Sequence, residues 1–286
     1  MKKPAKASKI RSLSQFIETV TGLREPSPVT YAFRGVRDAG WENAPGIMRD
    51  GKEQLLMHER QAIRDLLSIH PHEFVSDLSM FDKLVRMQHF GLPTRLLDVT
   101  LNPLAALYFA TEVVDPKIEE PSDGKVYVFT VPPERRKYFD SDAVSCTGNL
   151  ANLADTEKRK ILENISLRKD QFNTVDAVDR LLQFIRVEKP YFRSMINATD
   201  MLTVQFVIPK LNNRRIIAQN GAFLIFGLSV KKRLLGTSPI RTQEVVVDRD
   251  DKQQIRLDLD KLGVNESALF PEIDRAAIYV ARKFST

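Results

Sequence analysis

The sequence predicts a single α+β domain, because short β-prone runs and amphipathic helical stretches are interspersed along 286 residues without a repeat or a long linker. Apolar residues make up 43% of the chain and charged residues 28%, a balance that supports a real hydrophobic core. The β-prone runs span residues 29–33, 96–101, 126–131, 206–208, 222–226 and 244–248. We expect a basic tail and an N-terminal helix over 1–27 and one domain over 28–286, with a helical insertion at 133–200.

Helical spacing of apolar residues and the residues at the ends of each stretch define the expected helices. These helices span residues 12–23, 53–69, 73–90, 102–114, 150–188, 258–262 and 271–284. Asn102 precedes Pro103, a pair typical of a helix cap followed by a first-turn proline. Arg34 and Gly35 follow the first β-prone run and are expected to break it.

The charge balance favours a polyanionic partner only weakly. Lys and Arg number 43 against 37 Asp and Glu, which gives a net charge of +6 and a pI near 9.3. Basic clusters at 1–11, 135–137, 214–215 and 231–233 are not interleaved with aromatics as in a single-strand-binding face. An ordinary basic surface explains the excess equally well.

The sequence lacks the signals that identify several classes of protein. No apolar run approaches the ~18 residues of a membrane span, and MKKPAKASKI has no apolar signal core. Cys146 is the single cysteine, so a disulfide framework is excluded and a cytoplasmic location is expected. The four histidines show no metal-binding spacing, and GxGxxG, GxxxxGK[ST] and GxSxG motifs are missing. We therefore expect no metal site and no Rossmann, P-loop or esterase-elbow chemistry.

The first polar stretch within apolar surroundings is the pentapeptide at residues 31–35. An arginine at the end of an apolar strand can aim its guanidinium fork at phosphate oxygens. Gly35 would let a ligand approach the backbone. The structural alternative is that Arg34 merely leaves the sheet edge for water.

The second stretch runs from Gln88 to Pro103 and leads into an apolar helix. Strand alternation places Asp98 and Thr100 on one face and Arg95 on the other. The following helix N-terminus favours an anion, so this face can serve a phosphate or a ribose hydroxyl. The alternative is a structural network in which Arg95 pairs with Asp98 and Thr100 caps the helix. His89 is either a general base or a hydrogen-bonded structural residue.

Phe33-Arg34-Gly35, together with residues 88–98 and 102–110, resembles the FRG domain, a bacterial family named after that tripeptide. The similarity continues through residues 219–223 and 269–274. The same motifs are similar, by analogy, to ADP-ribosyltransferases of the Arg–Ser–Glu type, which place an aromatic-Arg-Gly run on the first core strand. The resemblance implies an ADP-ribosyltransferase-like split β-sheet core with surrounding helices.

The resemblance also implies roles in binding NAD. Arg34 would bind the pyrophosphate, and His89 would contact a ribose or the acceptor. The remaining residues implied in the NAD site are Phe33, Gly35, Arg95, Asp98, Thr100 and Asn102. The Ser-Thr-Ser run of those enzymes is replaced here by Asp98-Val99-Thr100. Their glutamate beside the scissile bond corresponds to Gln219 or else to Glu244.

The function that follows is transfer of ADP-ribose from NAD to nucleic acid or protein, in a toxin or phage-defence effector with an antitoxin partner. Three alternatives stay open. The chain could hydrolyse NAD without an acceptor, or bind a nucleotide or nucleic acid without chemistry. The third is that Arg34, Arg95 and Asp98 form one buried ion network that only stabilises the fold.

Overall fold

A computed structural model describes residues 9–113, 120–228, 239–272 and 281. The expectations for residues 1–8, for the basic cluster at 231–233 and for most of the helix at 271–284 lie outside the described residues. Within the described part, the strands are β1 Lys9–Ile10, β2 Thr30–Val36, β3 Leu96–Thr100, β4 Gly124–Val131, β5 Arg136–Tyr138, β6 Gln205–Ile208, β7 Gly221–Ile225 and β8 Arg241–Val247.

Helices surround this sheet and fill the segment between β5 and β6. The α-helices are α1 Leu13–Thr21, α2 Glu53–Met57, α3 Glu59–Ile69, α4 Met80–His89, α5 Pro103–Ala110, α6 Asp142–Asn149, α7 Asp155–Glu163, α8 Lys169–Phe172, α9 Asp176–Glu188, α10 Ala198–Leu202, α11 Arg214–Ala218, α12 Lys252–Lys261 and α13 Glu266–Leu269. Short 3₁₀ turns lie at Gly46–Met48, Pro71–Phe74, Pro133–Arg135, Leu150–Asn152 and Arg249–Asp251.

The described strands form one open mixed sheet of eight strands in the order β1-β8-β4-β2-β3-β7-β6-β5. The two outermost pairs are parallel and the inner pairs are antiparallel. At the centre, β2 and β3 share one bridged pair among the described residues, Phe33 with Thr100. The sheet therefore consists of two four-stranded halves that meet at one point, and the α+β class is confirmed.

Hydrophobic cores on both faces hold the sheet. One core packs the β1-β8-β4-β2 half against α1, α5 and α12, and another packs the other half against α3, α4 and α6. On the opposite face, Leu97 and Val99 join a core that spans both halves, as the alternation of β3 predicts. A further core lies within the helical insertion.

Several local expectations change in the structure. The expected helix at 53–69 is divided into α2 and α3, and the helix expected at 73–90 begins only at Met80. β2 continues through Arg34 and Gly35 to Val36, because each of its residues pairs with β4. Lys9 and Ile10 pair with the end of β8 instead of belonging to a free tail. The helical stretch at 150–188 is divided into α7, α8 and α9, and the insertion also contributes the edge strand β5.

Candidate functional site

A cleft lies where the two halves of the sheet meet. Its volume is about 270 Å³, near the lower end of the ~300–1,000 Å³ range of small-molecule sites. β2, the end of α4, β3, α11 and the start of β7 supply most of its lining. The sequence-predicted residues in the lining are Phe33, Arg34, Gly35, His89, Asp98, Thr100 and Gln219. The fold thus brings together residues that are far apart in the sequence.

Arg34 connects the two sheet halves. Its Nη1 donates a hydrogen bond to the backbone oxygen of Asp98 on β3 at 2.8 Å. Its Nε is buried and has no hydrogen-bond partner among the described residues. Burial lowers the pKa of Arg34, and the nearby charge of Asp98 opposes that shift. An arginine remains protonated despite such a shift, so a positively charged guanidinium lines the cleft.

The Asp98 carboxylate is exposed on β3 and is oriented by Gln88. Gln88 Nε2 donates to Asp98 Oδ2 at 2.6 Å, and the Thr94 hydroxyl donates to Gln88 Oε1 at 2.5 Å. Gln88 lies within the sequence motif but was not predicted as a site residue. Among the described lining residues, Asp98 is the only carboxylate.

Thr100 holds the backbone of Gln219 in the lining of the cleft. The Thr100 hydroxyl donates to the Gln219 backbone oxygen at 2.6 Å and accepts the Asn102 N–H at 2.9 Å. Gln219 Nε2 donates to the Leu269 backbone oxygen at 3.0 Å. The cap of α5 is Asn102, whose side chain accepts the Leu104 N–H at 3.0 Å. Asn102 therefore acts on the helix end and does not line the cleft.

Arg215 and Phe109 also line the cleft and were not predicted as site residues. Arg215 lines the cleft from α11, with its guanidinium carbon 4.9 Å from the centre of the Phe270 ring. Phe270 packs edge-to-face on Phe109 of α5, at 5.9 Å between ring centres. The sequence shows Arg215 only as part of the basic pair at 214–215, and that pair does not indicate that Arg215 lies in the cleft.

Gly35 has a different role from the one expected. A Cβ at this position would lie 1.8 Å from the backbone oxygen of Ala106. Gly124 on β4 faces the Ala110 oxygen in the same way, at 2.0 Å. Both glycines let α5 lie directly on the sheet, so Gly35 borders the cleft but is explained by helix packing.

Arg95 is not part of the cleft. It is 1% exposed and forms a two-pronged ion pair with Glu59, with Nε to Oε1 at 2.9 Å. Lys158 donates to Oε2 of the same carboxylate at 2.6 Å. The alternative in which Arg95 pairs with Asp98 is wrong, and so is the alternative of a single network of Arg34, Arg95 and Asp98. The actual partner lies 36 residues away in the sequence.

The two remaining candidates are placed differently. His89 ends α4 at the rim of the cleft, exposed, with its ring 5.2 Å from that of Phe90. Glu244 lies on β8 and pairs with Lys125 at 3.0 Å, opposite Tyr127. β4 separates β8 from β2, so Glu244 lies away from the cleft. Of the two candidates for the glutamate position, Gln219 is the one that lines the cleft.

The geometry combines two guanidiniums, one oriented carboxylate and neutral hydrogen-bonding groups in one cleft. Arginine forks suit phosphate oxygens, and a carboxylate suits ribose hydroxyls or a developing positive charge. Among the described residues no group of three or more His, Cys, Asp or Glu is placed to hold a metal ion. The arrangement suits an anionic, hydroxyl-rich ligand.

A comparison with known families finds one match to part of the chain. Residues 29–118 match the family model described as FRG domain. This match supports assignment to the FRG family. The matched residues include Arg34, His89 and Asp98 and end before α11 and Gln219. Similarity beyond residue 118 stays a prediction. No curated protein and no solved structure matches the chain.

None of the helices in the described ranges is both long enough and apolar enough to cross a membrane.

Proposed function

We propose that this chain binds NAD in the cleft and transfers its ADP-ribose to an acceptor, on an ADP-ribosyltransferase-like fold. The observation that carries the proposal is the meeting of Arg34, Asp98 and Gln219 at the junction of the sheet halves. These residues come from three separate segments in the order that the resemblance implies. The single bridge between β2 and β3 is compatible with a split sheet.

Binding would be divided between the two sides of the cleft. Arg34 and Arg215 would hold the pyrophosphate, because two cations match its two negative charges. Asp98, held by Gln88, would accept a hydrogen bond from a ribose hydroxyl. The cleft is small for a whole dinucleotide, so part of the ligand would lie at the open surface beside His89.

The reaction would break the bond between the nicotinamide nitrogen and ribose C1′. The electron pair leaves with nicotinamide, and positive charge develops on the ribose. Asp98 would stabilise that charge, since Gln219 is neutral and Glu244 lies elsewhere. An oxygen or nitrogen of the acceptor bonds to C1′, and its proton passes to His89 or to water.

The net charge of +6 favours nucleic acid over protein as the acceptor, but only weakly. A toxin or phage-defence role with an antitoxin partner belongs to the same proposal. If water takes the place of the acceptor, the same cleft hydrolyses NAD.

A second candidate function is nucleotide binding without chemistry. It is favoured by the neutral Gln219 at the position where a glutamate is expected. In that case the Arg34 and Arg215 pair would still bind phosphates, but nicotinamide would not be released.

The test is incubation of purified protein with labelled NAD, alone and with RNA, DNA or protein, followed by chromatography. Asp98→Asn is the main variant, because asparagine keeps the shape and still accepts the hydrogen bond from Gln88. Loss of an electrostatic stabiliser of this kind typically lowers the rate by about 10²–10³-fold. Arg34→Ala is the second variant, with its melting temperature measured because Arg34 joins the sheet halves.

Label on one acceptor class, nicotinamide release, and loss of both in folded Asp98→Asn would support transfer. Free ADP-ribose at full rate without any macromolecule would indicate hydrolysis. Binding of NAD by the wild type with no release of nicotinamide would favour the non-catalytic candidate. Equal labelling in wild type, Asp98→Asn and Arg34→Ala would overturn the assignment of the site.

A further inference from the structure

A second cavity lies beside the start of β3, and its volume of about 510 Å³ exceeds that of the cleft. Two of its residues, Phe226 and Met48, belong to or pack against the core that spans both sheet halves. Its apolar wall consists of Ile47, Met48, Leu56, Leu162, Phe226 and Leu228. Arg95 and Lys158 also line it, so a mainly apolar cavity contains two buried cations.

These cations share one carboxylate. Glu59 is 1% exposed, accepts from Arg95 at 2.9 Å and from Lys158 at 2.6 Å, and does not itself line the cavity. The cluster therefore has one excess positive charge in a low-dielectric environment, where a charge without a partner is costly. Burial lowers the pKa of Lys158, with Glu59 opposing the shift.

Donor groups remain at the cavity wall. Lys158 Nζ has three N–H groups, and Glu59 is its one hydrogen-bond partner in the part of the chain that the structure describes. The other acidic residues of the lining are more exposed and already engaged: Asp155 pairs with Arg159 at 2.6 Å, and Glu42 and Glu53 each accept a backbone N–H. Asp155 acts on Lys158 through its charge, but none of these carboxylates is hydrogen-bonded to Lys158. A ligand in the cavity can therefore supply an acceptor for the remaining N–H groups of Lys158.

We propose that this cavity binds a small amphipathic carboxylate. Its carboxylate would accept a hydrogen bond from Lys158 and lie beside Arg95, whose guanidinium already donates to Glu59 and to the backbone oxygens of Phe226 and Gly227. Its apolar body would pack on the apolar wall. A monoanion fits the single excess charge better than a phosphate monoester, which carries about −1.5 to −2. The apolar body of the ligand would cover the apolar wall of the cavity and remove it from water, which is favourable. This inference does not depend on NAD chemistry in the cleft.

The test is isothermal titration calorimetry of the full chain with octanoate and with 1-octanol, both kept below the concentration at which octanoate forms micelles. Octanoate is expected to bind at least tenfold more tightly than octanol, which has the same chain length without the charge. Lys158→Met should weaken octanoate binding at least tenfold and remove this preference. Lys160→Met is the matched control, since Lys160 is exposed on the same helix, and it should bind as wild type does.

Leu162→Trp provides a second variant, because it fills the cavity while keeping the three charged side chains of the ion cluster. It should abolish binding of both ligands while circular dichroism shows that the protein is still folded. If Lys158→Met does not fold, this variant tests whether the ligands bind in the cavity. The proposal is overturned by no binding of octanoate to wild type, by equal affinity for octanoate and octanol, or by equal effects of Lys158→Met and Lys160→Met. Unchanged binding to Leu162→Trp would also overturn it.

Discussion

Replacing Glu59 by glutamine should destabilise the protein strongly, because Arg95 and Lys158 would lose their shared counter-ion. Burial alone raises the pKa of Glu59, but the charges and hydrogen bonds of both cations outweigh it and lower the pKa to about 2. A shift from 4.5 to about 2 corresponds to about 3 kcal/mol of folding free energy. Removing one partner of a buried ion pair typically costs ~3–5 kcal/mol, which agrees in size.

The assay is urea unfolding at neutral pH, followed by circular dichroism, for wild type, Glu59→Gln and Glu163→Gln. Glu163 ends α7 and is exposed, so its variant controls for the loss of one carboxylate. Glu59→Gln should lose about 3 kcal/mol, a fall of about 6–12 °C in melting temperature for a domain of this size. A loss below about 1 kcal/mol, or one equal to that of Glu163→Gln, would refute the reasoning, since a buried ion cluster cannot be that cheap to break.

Three further predictions concern acidity, packing and thiol reactivity. The pKa of Glu59 in the folded protein lies below its ordinary 4.5. Its contribution to stability is therefore complete above pH 4.5 and is lost as the pH falls towards 2. Acid unfolding curves should show this loss in wild type and not in Glu59→Gln. Gly35→Ala should destabilise by at least ~1–3 kcal/mol, since its Cβ would lie 1.8 Å from a backbone oxygen. In contrast Gly148→Ala, whose Cβ meets atoms at 3.6 Å or beyond, should be neutral or stabilising in thermal melts. Burial raises the pKa of Cys146 to about 12, so a thiol reagent should label it only after denaturant is added, and rapid labelling of the native protein would contradict this.

Local rules predicted the segment around β3 and α5. Alternation placed Leu97 and Val99 on one face and Asp98 and Thr100 on the other, and the Asn102-Pro103 pair marked the start of α5. They failed at β2, where an Arg-Gly pair was expected to end the strand. Pairing with β4 along the whole of β2 overrides that local signal.

The site was partly predictable for the same reason. Arg34, Asp98 and Gln219 were found from motifs, and the structure brings them into one cleft. The position of Arg95 depends on Glu59 and Lys158, which come from distant helices and leave no trace near Arg95 in the sequence. Arg215 reaches the cleft only because α11 packs at the end of β7, a tertiary contact that composition cannot reveal.

The central claim is that the cleft at the junction of the sheet halves binds NAD. Calorimetric titration of NAD into wild type, Arg215→Ala and Arg214→Ala tests it most directly, because Arg215 lines the cleft and its exposed neighbour Arg214 does not. Loss of one charge-assisted hydrogen bond, ~1.5–3 kcal/mol, should weaken binding about 10–150-fold in Arg215→Ala. Arg214→Ala should bind as wild type does. Absence of NAD binding to wild type, or equal weakening in both variants, would contradict the account.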